Sequence, residues 1–155
     1  MYRDINLHRI MKKLLLALVV TISTLSMTSC EDEPYYNYID PSDLPGPALS
    51  FIRTYYPTDP IWDVYIGGYY NDSYVVEMES GAIVYFDTYG NWYAVYAPTG
   101  YGVPYGIVPL SIENFVSYYY PYATINGVET NDYGGYHIIL TNGREIDFDR
   151  CGNTL

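Results

Sequence analysis

The chain has 155 residues, enough for one domain or two small ones. It carries two Cys, two His and seven Lys+Arg against eighteen Asp+Glu, with twenty-two Tyr and a net charge of −11. That composition excludes a His/Cys zinc cluster. It also opposes nucleic-acid binding, which needs Lys and Arg to displace phosphate counterions. Hydrophobic residues at 49% with charged residues at 16% exclude global disorder.

The chain opens on a leader-like segment. Met11-Lys12-Lys13 is a short basic stretch, Leu14 to Ile22 is apolar but too short to span a bilayer, and Ser23 to Ser29 is small and polar. Cys30 follows. The layout resembles a lipoprotein signal peptide over residues 1–29, with translation starting at Met11 and Cys30 becoming the acylated first residue. The alternative is a plain secretory signal with Cys30 a spare thiol. From Cys30 onward three cations (Arg53, Arg144, Arg150) face seventeen carboxylates, a net of −14. Anionic headgroups repel such a surface, so the membrane is met only through the lipid on Cys30. Residues 30–43 form an acidic tether. Its Glu31-Asp32-Glu33 resembles the surface-export signal of some Gram-negative lipoproteins, or is simply a solvated linker. The expected location is the cell envelope, as an outer-membrane lipoprotein that is surface-exposed or faces the periplasm. With Cys30 acylated, Cys151 is the one free thiol and no internal disulfide forms. It has no His partner and reads as a bystander.

An internal repeat follows. Leu44-Pro45 through Phe51-Ile52, Tyr55-Tyr56-Pro57 matches Val108-Pro109 through Phe115-Val116, Tyr119-Tyr120-Pro121 at an offset of 64. Tyr74, Gly81, Phe86, Asp87, Gly90 and Asn91 match Tyr136, Gly143, Phe148, Asp149, Gly152 and Asn153 at 62. Such ordered agreement points to a duplicated supersecondary unit.

Each unit opens with a helix. Ala48, Phe51, Ile52, Tyr55 and Tyr56, and likewise Ile112, Phe115, Val116, Tyr119 and Tyr120, fall on one apolar stripe of period 3.6. Pro45 and Pro109 suit the first turn, and Pro57 and Pro121 stop each helix. Ile61 to Ile66 reads as a strand, with a weaker counterpart near Thr124 to Glu129. Tyr74, Val76 and Met78, then Tyr136, Ile138 and Leu140, alternate as strands. Ser80-Gly81 and Asn142-Gly143 read as two-residue hairpin turns. Return strands end in Phe86 and Phe148, and Asp-x-x-Gly-Asn makes a second turn in each copy. Trp92 to Ala97 is a further strand whose counterpart is cut short at Leu155. The expected units are 44–97 and 107–155, joined by a Gly/Pro/Tyr linker at 98–106. At about sixty residues each would be marginal alone, so the two should share a sheet or an interface.

A helix ending in Phe-hydrophobic-x-x-Tyr-Tyr-Pro, a hairpin with Tyr-x-Val/Ile-x-Met/Leu-x-x-Gly, and then Phe-Asp-x-x-Gly-Asn resemble the PepSY-like family of secreted bacterial proteins, itself likened to β-lactamase-inhibitor proteins. The resemblance covers Leu44 to Leu155. It implies an α+β fold of two tandem helix-plus-antiparallel-meander units, with helices packed on one face of a curved antiparallel sheet. It implies no catalytic residues and a role in binding or inhibiting partners.

Three residue sets remain as candidates for chemistry. Glu77 and Glu79, and Glu145, Asp147 and Asp149, recur at i, i+2, which puts same-face carboxylates about 7 Å apart along a strand. That is compatible with an inverting glycosidase pair, but a solvated strand face explains it more simply. Asp87 and Asn91, and Asp149 and Asn153, could ligate calcium near turns. Each turn offers two obvious side chains against the six to eight oxygens calcium wants, and Asp, Asn and Gly favour turns without metal. No metal or cofactor is therefore assigned, with calcium kept as a weak candidate. The third set is aromatic. Tyr55, Tyr56, Tyr74, Tyr119, Tyr120 and Tyr136 fall at inward positions. Tyr65, Tyr69, Tyr70, Tyr85, Tyr93, Tyr101, Tyr105 and Tyr122 fall on strand exteriors and loops, where Tyr serves binding or simply strand propensity. His137 lies on the strand side opposite Tyr136 and Ile138.

These observations describe a non-catalytic envelope lipoprotein. It binds a protein partner with basic groups through a tyrosine- and acid-rich sheet face carrying Tyr65, Tyr85, Tyr93, Glu77, Glu79, Glu145 and Asp147. The alternatives are a glycan-binding surface lipoprotein using Trp62 or Trp92, and a calcium-responsive module.

Overall fold

The computed structural model describes residues 36–67, 73–131 and 133–155. In chain order it has β1 (Asn37–Tyr38), a 3-10 turn (Pro41–Asp43), α1 (Gly46–Tyr55), β2 (Ile61–Ile66), β3 (Tyr74–Met78), β4 (Ile83–Phe86) and β5 (Trp92–Tyr96). Then come α2 (Leu110–Tyr119), β6 (Ile125–Thr130), β7 (Tyr136–Leu140) and β8 (Glu145–Phe148). The eight strands form one antiparallel sheet whose spatial order is the chain order. The fold is α+β, as expected. Although α2 interrupts the chain between β5 and β6, those strands still pair, through Ala94 with Glu129, Val95 with Val128 and Tyr96 with Gly127. Residues 37–43, read above as the end of the tether, carry β1 and the 3-10 turn. β1 pairs with β2 through Tyr38 and Tyr65.

Both helices lie on one side of the sheet. A row of Val64, Val76, Val84, Val95, Val128, Ile138 and Ile146 crosses seven strands. Ala48 and Ile52 of α1 and Ile112 and Val116 of α2 complete the same core. Phe51 meets buried Phe86 edge to face at 5.6 Å, and Phe115 meets buried Phe148 in the same way at 5.3 Å. The helices end where sequence places the stop. Tyr56 (φ −127°, ψ 49°) and Tyr120 (φ −132°, ψ 59°) leave helical geometry before Pro57 and Pro121, while their N–H groups still reach Ile52 and Val116. Tyr119 departs from the inward expectation. It is 60% exposed and stacks on Phe115 at 4.5 Å, because the stripe of α2 is filled by Ile112, Phe115 and Val116.

The hairpin turns also differ from the two-residue expectation. Met78 N–H donates to Ala82 O and Gly81 N–H to Met78 O; Leu140 N–H donates to Arg144 O and Gly143 N–H to Leu140 O. Each loop therefore has three residues, with glycine third. A two-residue Asn-Gly turn needs positive φ at Asn142 as well, and no described non-glycine residue has one. Glu79 falls in the first of these turns rather than on β3, so Glu77 and Glu79 are not a strand-face pair.

The Asp-x-x-Gly-Asn loops dock the helix starts. Asp87 accepts the N–H groups of Tyr89 and Asn91 and the Asn91 side-chain amide at 2.8–2.9 Å. Asp149 does the same for Cys151 and Asn153. Gly90 presses on Pro45 and Ala48, and Gly152 on Ser111 and Ile112, both at positive φ. A Cβ on Gly152 would come within 2.0 Å of Ser111 Oγ. These loops thus tie the β4–β5 turn to the start of α1 and the segment after β8 to the start of α2.

Candidate functional site

The helix-free sheet face is built from two cross-strand rows. One runs Tyr65, Val75, Tyr85, Ala94, Glu129, His137, Asp147; the other Asp63, Glu77, Ile83, Tyr96, Gly127, Ile139, Glu145. Strand alternation puts both rows on the side opposite the valine row. Sequence reading makes this face wet, but its β2–β5 part is not. Val75 is 1% exposed and Ala94 4%. The cause is local: Val75 sits between Tyr65 and Tyr85, whose large rings cover the small residue between them.

The rings form two clusters on either side of Val75. Tyr36 and Tyr38 approach Tyr65 at 4.8 and 5.7 Å, and Tyr85 meets Tyr93 and Tyr96 at 5.9 Å each. Tyr93 reaches its cluster from the bulge that shifts register between Tyr85 and Phe86. Two hydroxyls are committed to carboxylates. Tyr65 donates to Glu77 Oε1 at 2.9 Å, and Tyr96 donates to Glu129 Oε1. Burial, aided by Glu77, pushes the Tyr65 phenol well above its ordinary pKa, and burial aided by Glu129 does the same for Tyr96. Burial and the neighbouring Tyr93 raise Tyr85. These phenols therefore remain neutral hydrogen-bond donors through neutral pH. At the β7–β8 end His137 takes over, with Nδ1 2.8 Å from Asp147 Oδ1 and Nε2 3.6 Å from Glu145 Oε2.

Of the sequence candidates, Tyr65, Tyr85, Tyr93 and Glu77 come together at β2–β5, and Glu145 and Asp147 lie at the far end beside His137. Sequence reading missed Tyr96, Glu129, Tyr36 and Tyr38. The inward Val95 implied an outward Tyr96 by alternation, but Asn126-Gly127 obscured β6 and with it Glu129. Cys30, Tyr69 and Tyr70 lie outside the described residues. Tyr101, Tyr105 and Tyr122 are exposed but lie on loops away from the strands. Trp92 packs on Phe51 of α1 at 5.8 Å, on the helix side, and Trp62 is 69% exposed in the bulge between Ile61 and Asp63.

Of the calcium candidates, the Asp87 and Asp149 carboxylates have both oxygens engaged by their own loops. Burial raises the Asp87 carboxyl, but the Asn91, Tyr89 and Gly90 donors outweigh it and hold the pKa below the ordinary value. Asn153, Cys151 and Gly152 hold Asp149 low in the same way. Among the described residues no three His, Cys, Asp or Glu side chains group as metal ligands.

An eight-stranded antiparallel meander with both helices on one face is an α+β fold that also occurs in solved structures. The chain belongs to the PepSY-like family. The family model described as "Putative beta-lactamase-inhibitor-like, PepSY-like" matches residues 72–155. Among solved structures it is similar to a "putative calcium-regulated periplasmic protein" of Bacteroides thetaiotaomicron. That pair is 27% identical with a TM-score of 0.71, over 77% of this chain and 94% of that one. It is also similar to a "putative periplasmic protein from DUF2874 family" of Bacteroides vulgatus, at 30% identity and TM-score 0.69 over 82% of this chain and 97% of that one. A second B. vulgatus chain, a "putative periplasmic protein of unknown function", matches at 25% identity and TM-score 0.69 over 79% and 97%. No curated protein matches the chain.

Proposed function

We propose that this protein is a non-catalytic periplasmic or outer-membrane lipoprotein, anchored through Cys30, that binds a basic protein partner on its tyrosine–carboxylate sheet face. Its globular part is read as two tandem helix-plus-meander units, since α1 and β2 precede α2 and β6 by 64 residues, and β3 and β4 precede β7 and β8 by 62. The periplasmic description of the similar Bacteroides proteins supports the location. The observation that carries the binding reading is the pair of ring clusters on one sheet face. Tyr36, Tyr38 and Tyr65 form one and Tyr85, Tyr93 and Tyr96 the other, with Glu77 and Glu129 held by the Tyr65 and Tyr96 hydroxyls. Tyrosine gives rigid, amphipathic contact area at low entropic cost, and the carboxylates favour a cationic partner.

The test is cross-linking on intact cells with the anchored protein, with Cys30→Ser as the unanchored control. A defined protein captured by the anchored form, and lost with Tyr85→Ala, supports the reading. Retention on polysaccharide without a protein partner moves it to the glycan alternative. A second reading, calcium response, draws on the name given to the B. thetaiotaomicron relative. It requires a thermal midpoint that rises with calcium and not with magnesium.

A further inference from the structure

A second feature lies on the helix side of the sheet, away from the tyrosine face. A cleft of about 480 Å3 opens between the end of α1, the β3–β4 turn and the linker, lined by Tyr56, Ser80, Ala82, Pro98, Tyr101 and Pro104, among others. That volume is within the roughly 300–1,000 Å3 usual for small-ligand sites. Tyr56 is 9% exposed. Its hydroxyl is, among the described residues, a buried side-chain oxygen with no hydrogen-bond partner. Leaving such a group unpaired is costly, and native structures rarely do so without a reason.

The protein itself indicates what would complete this site. Tyr120 ends α2 as Tyr56 ends α1, with nearly the same backbone angles. Arg144 precedes β8 and accepts from Leu140 N–H, as Ala82 precedes β4 and accepts from Met78 N–H. In the second half the Arg144 guanidinium lies over the Tyr120 ring, 5.4 Å from its centroid, within cation–π range. In the first half the corresponding residue is alanine, and the cleft opens beside Tyr56. We propose that this cleft binds an arginine side chain presented by a polypeptide partner, set against Tyr56 as Arg144 is set against Tyr120.

The surroundings fit a guanidinium. It is donor-only and planar, so its face can lie along Tyr101 and the prolines. A small turn of the Tyr56 ring would bring its buried, unpaired oxygen within reach of the guanidinium N–H groups. Asp59 supplies the countercharge. Its N–H donates to Tyr56 O at 3.3 Å and its Oδ1 accepts from Ser80 N–H at 3.1 Å, so it links two residues of the lining. The site deepens the basic-partner reading but does not need the sheet face.

The test titrates the 15N-labelled full chain with acetyl-Gly-Arg-Gly-amide and with the same peptide carrying citrulline, the neutral isostere, for arginine. The expected result is saturable amide shifts at Ser80, Ala82, Tyr101 and Gly102, with affinity at least tenfold above the citrulline peptide. Tyr56→Phe weakens binding at least threefold without lowering the thermal midpoint, which separates a ligand contact from a structural one. Tyr101→Ala, at an exposed position, also weakens it, and Tyr85→Ala does not. Equal binding of the citrulline peptide, shifts confined to the Tyr65–Tyr96 face, no saturable shift, or an unchanged affinity in Tyr56→Phe overturns the proposal. None of those outcomes alters the Tyr85-dependent cross-linking that tests the sheet face.

Discussion

Tyr96 and Glu129 join the two halves of the sheet by side chains as well as by backbone. The Tyr96 hydroxyl donates to the Glu129 carboxylate across the β5–β6 seam, and its ring lies over Gly127, where a Cβ would sit 2.9 Å from Cδ1. Gly127 is the direct cross-strand partner of Tyr96, so the glycine makes room for the ring that reaches Glu129. Gly127→Ala is expected to cost about 1–3 kcal/mol by overpacking. Urea denaturation reads this directly, and an unchanged midpoint would show that the ring does not occupy that space.

Seam pairing should also make unfolding a single event. Phe148 is fully buried in β8 and meets Phe115 of α2, while the row of Val and Ile residues runs unbroken from β2 to β8. Phe148→Ala is expected to cost about 3–5 kcal/mol. Because the core is shared, the loss should lower one cooperative transition for the whole sheet. Calorimetry showing two separated transitions, one unmoved by the substitution, contradicts this.

The docking loops separate two roles of glycine. Gly143 has positive φ but open space around its missing Cβ, whereas Gly152 has positive φ and Ser111 Oγ 2.0 Å from that point. Gly143→Ala should cost roughly 1–2 kcal/mol, the left-handed strain alone. Gly152→Ala adds overpacking against the start of α2, for about 3 kcal/mol or more. Equal losses in chemical denaturation would show that the loop does not hold the helix.

The helices, the strands of the two hairpins and the core face were legible because period and punctuation agreed. The sequence leaves open whether the units share a sheet or only an interface; the pairing of β5 with β6 makes it one sheet. Phe51, Ile52 and Pro57 state a helix and its stop, and Tyr74, Val76 and Met78 state an inward strand face. What sequence misread depends on neighbours rather than on local pattern. Val75 looks like an outward residue, yet cross-strand Tyr65 and Tyr85 bury it. Asn126-Gly127 reads as an interruption of β6, yet the Asn126 amide anchors the linker by donating to the carbonyls of Ala97, Pro98 and Tyr101. The glycine beside it makes room for Tyr96. Asp87 and Asp149 read as ligand candidates because their spacing to Asn91 and Asn153 is the same whether the donors are loop amides or the acceptor is a cation. Part of the candidate site was legible, namely Tyr65, Tyr85, Tyr93 and Glu77. The cluster of Tyr85, Tyr93 and Tyr96 and its link to Glu129 needed the register of β4, β5 and β6.

The phenols set the alkaline limit of the fold. Burial, in each case the leading cause, raises Tyr56, Tyr65 and Tyr96 above their ordinary value of 10.0. In the unfolded chain they titrate near that value, so unfolding above it releases protons that the folded state retains. Their contribution is complete below pH 10 and is lost as pH climbs from there through the raised values. Asp87 and Asp149 act with the opposite sign. Their folded pKa values lie below 3.8, so their contribution is present above that value and lost as pH falls. Thermal midpoints should thus hold a plateau with respect to these groups between about pH 4 and 10. Tyr96→Phe should lower the midpoint at pH 7, because Glu129 loses its donor, yet flatten the alkaline decline. Tyr56→Phe, whose hydroxyl has no partner to lose, should flatten the decline while leaving the pH 7 midpoint unchanged or higher. An alkaline limb as steep in both variants as in the parent protein would place the transition in groups other than these tyrosines.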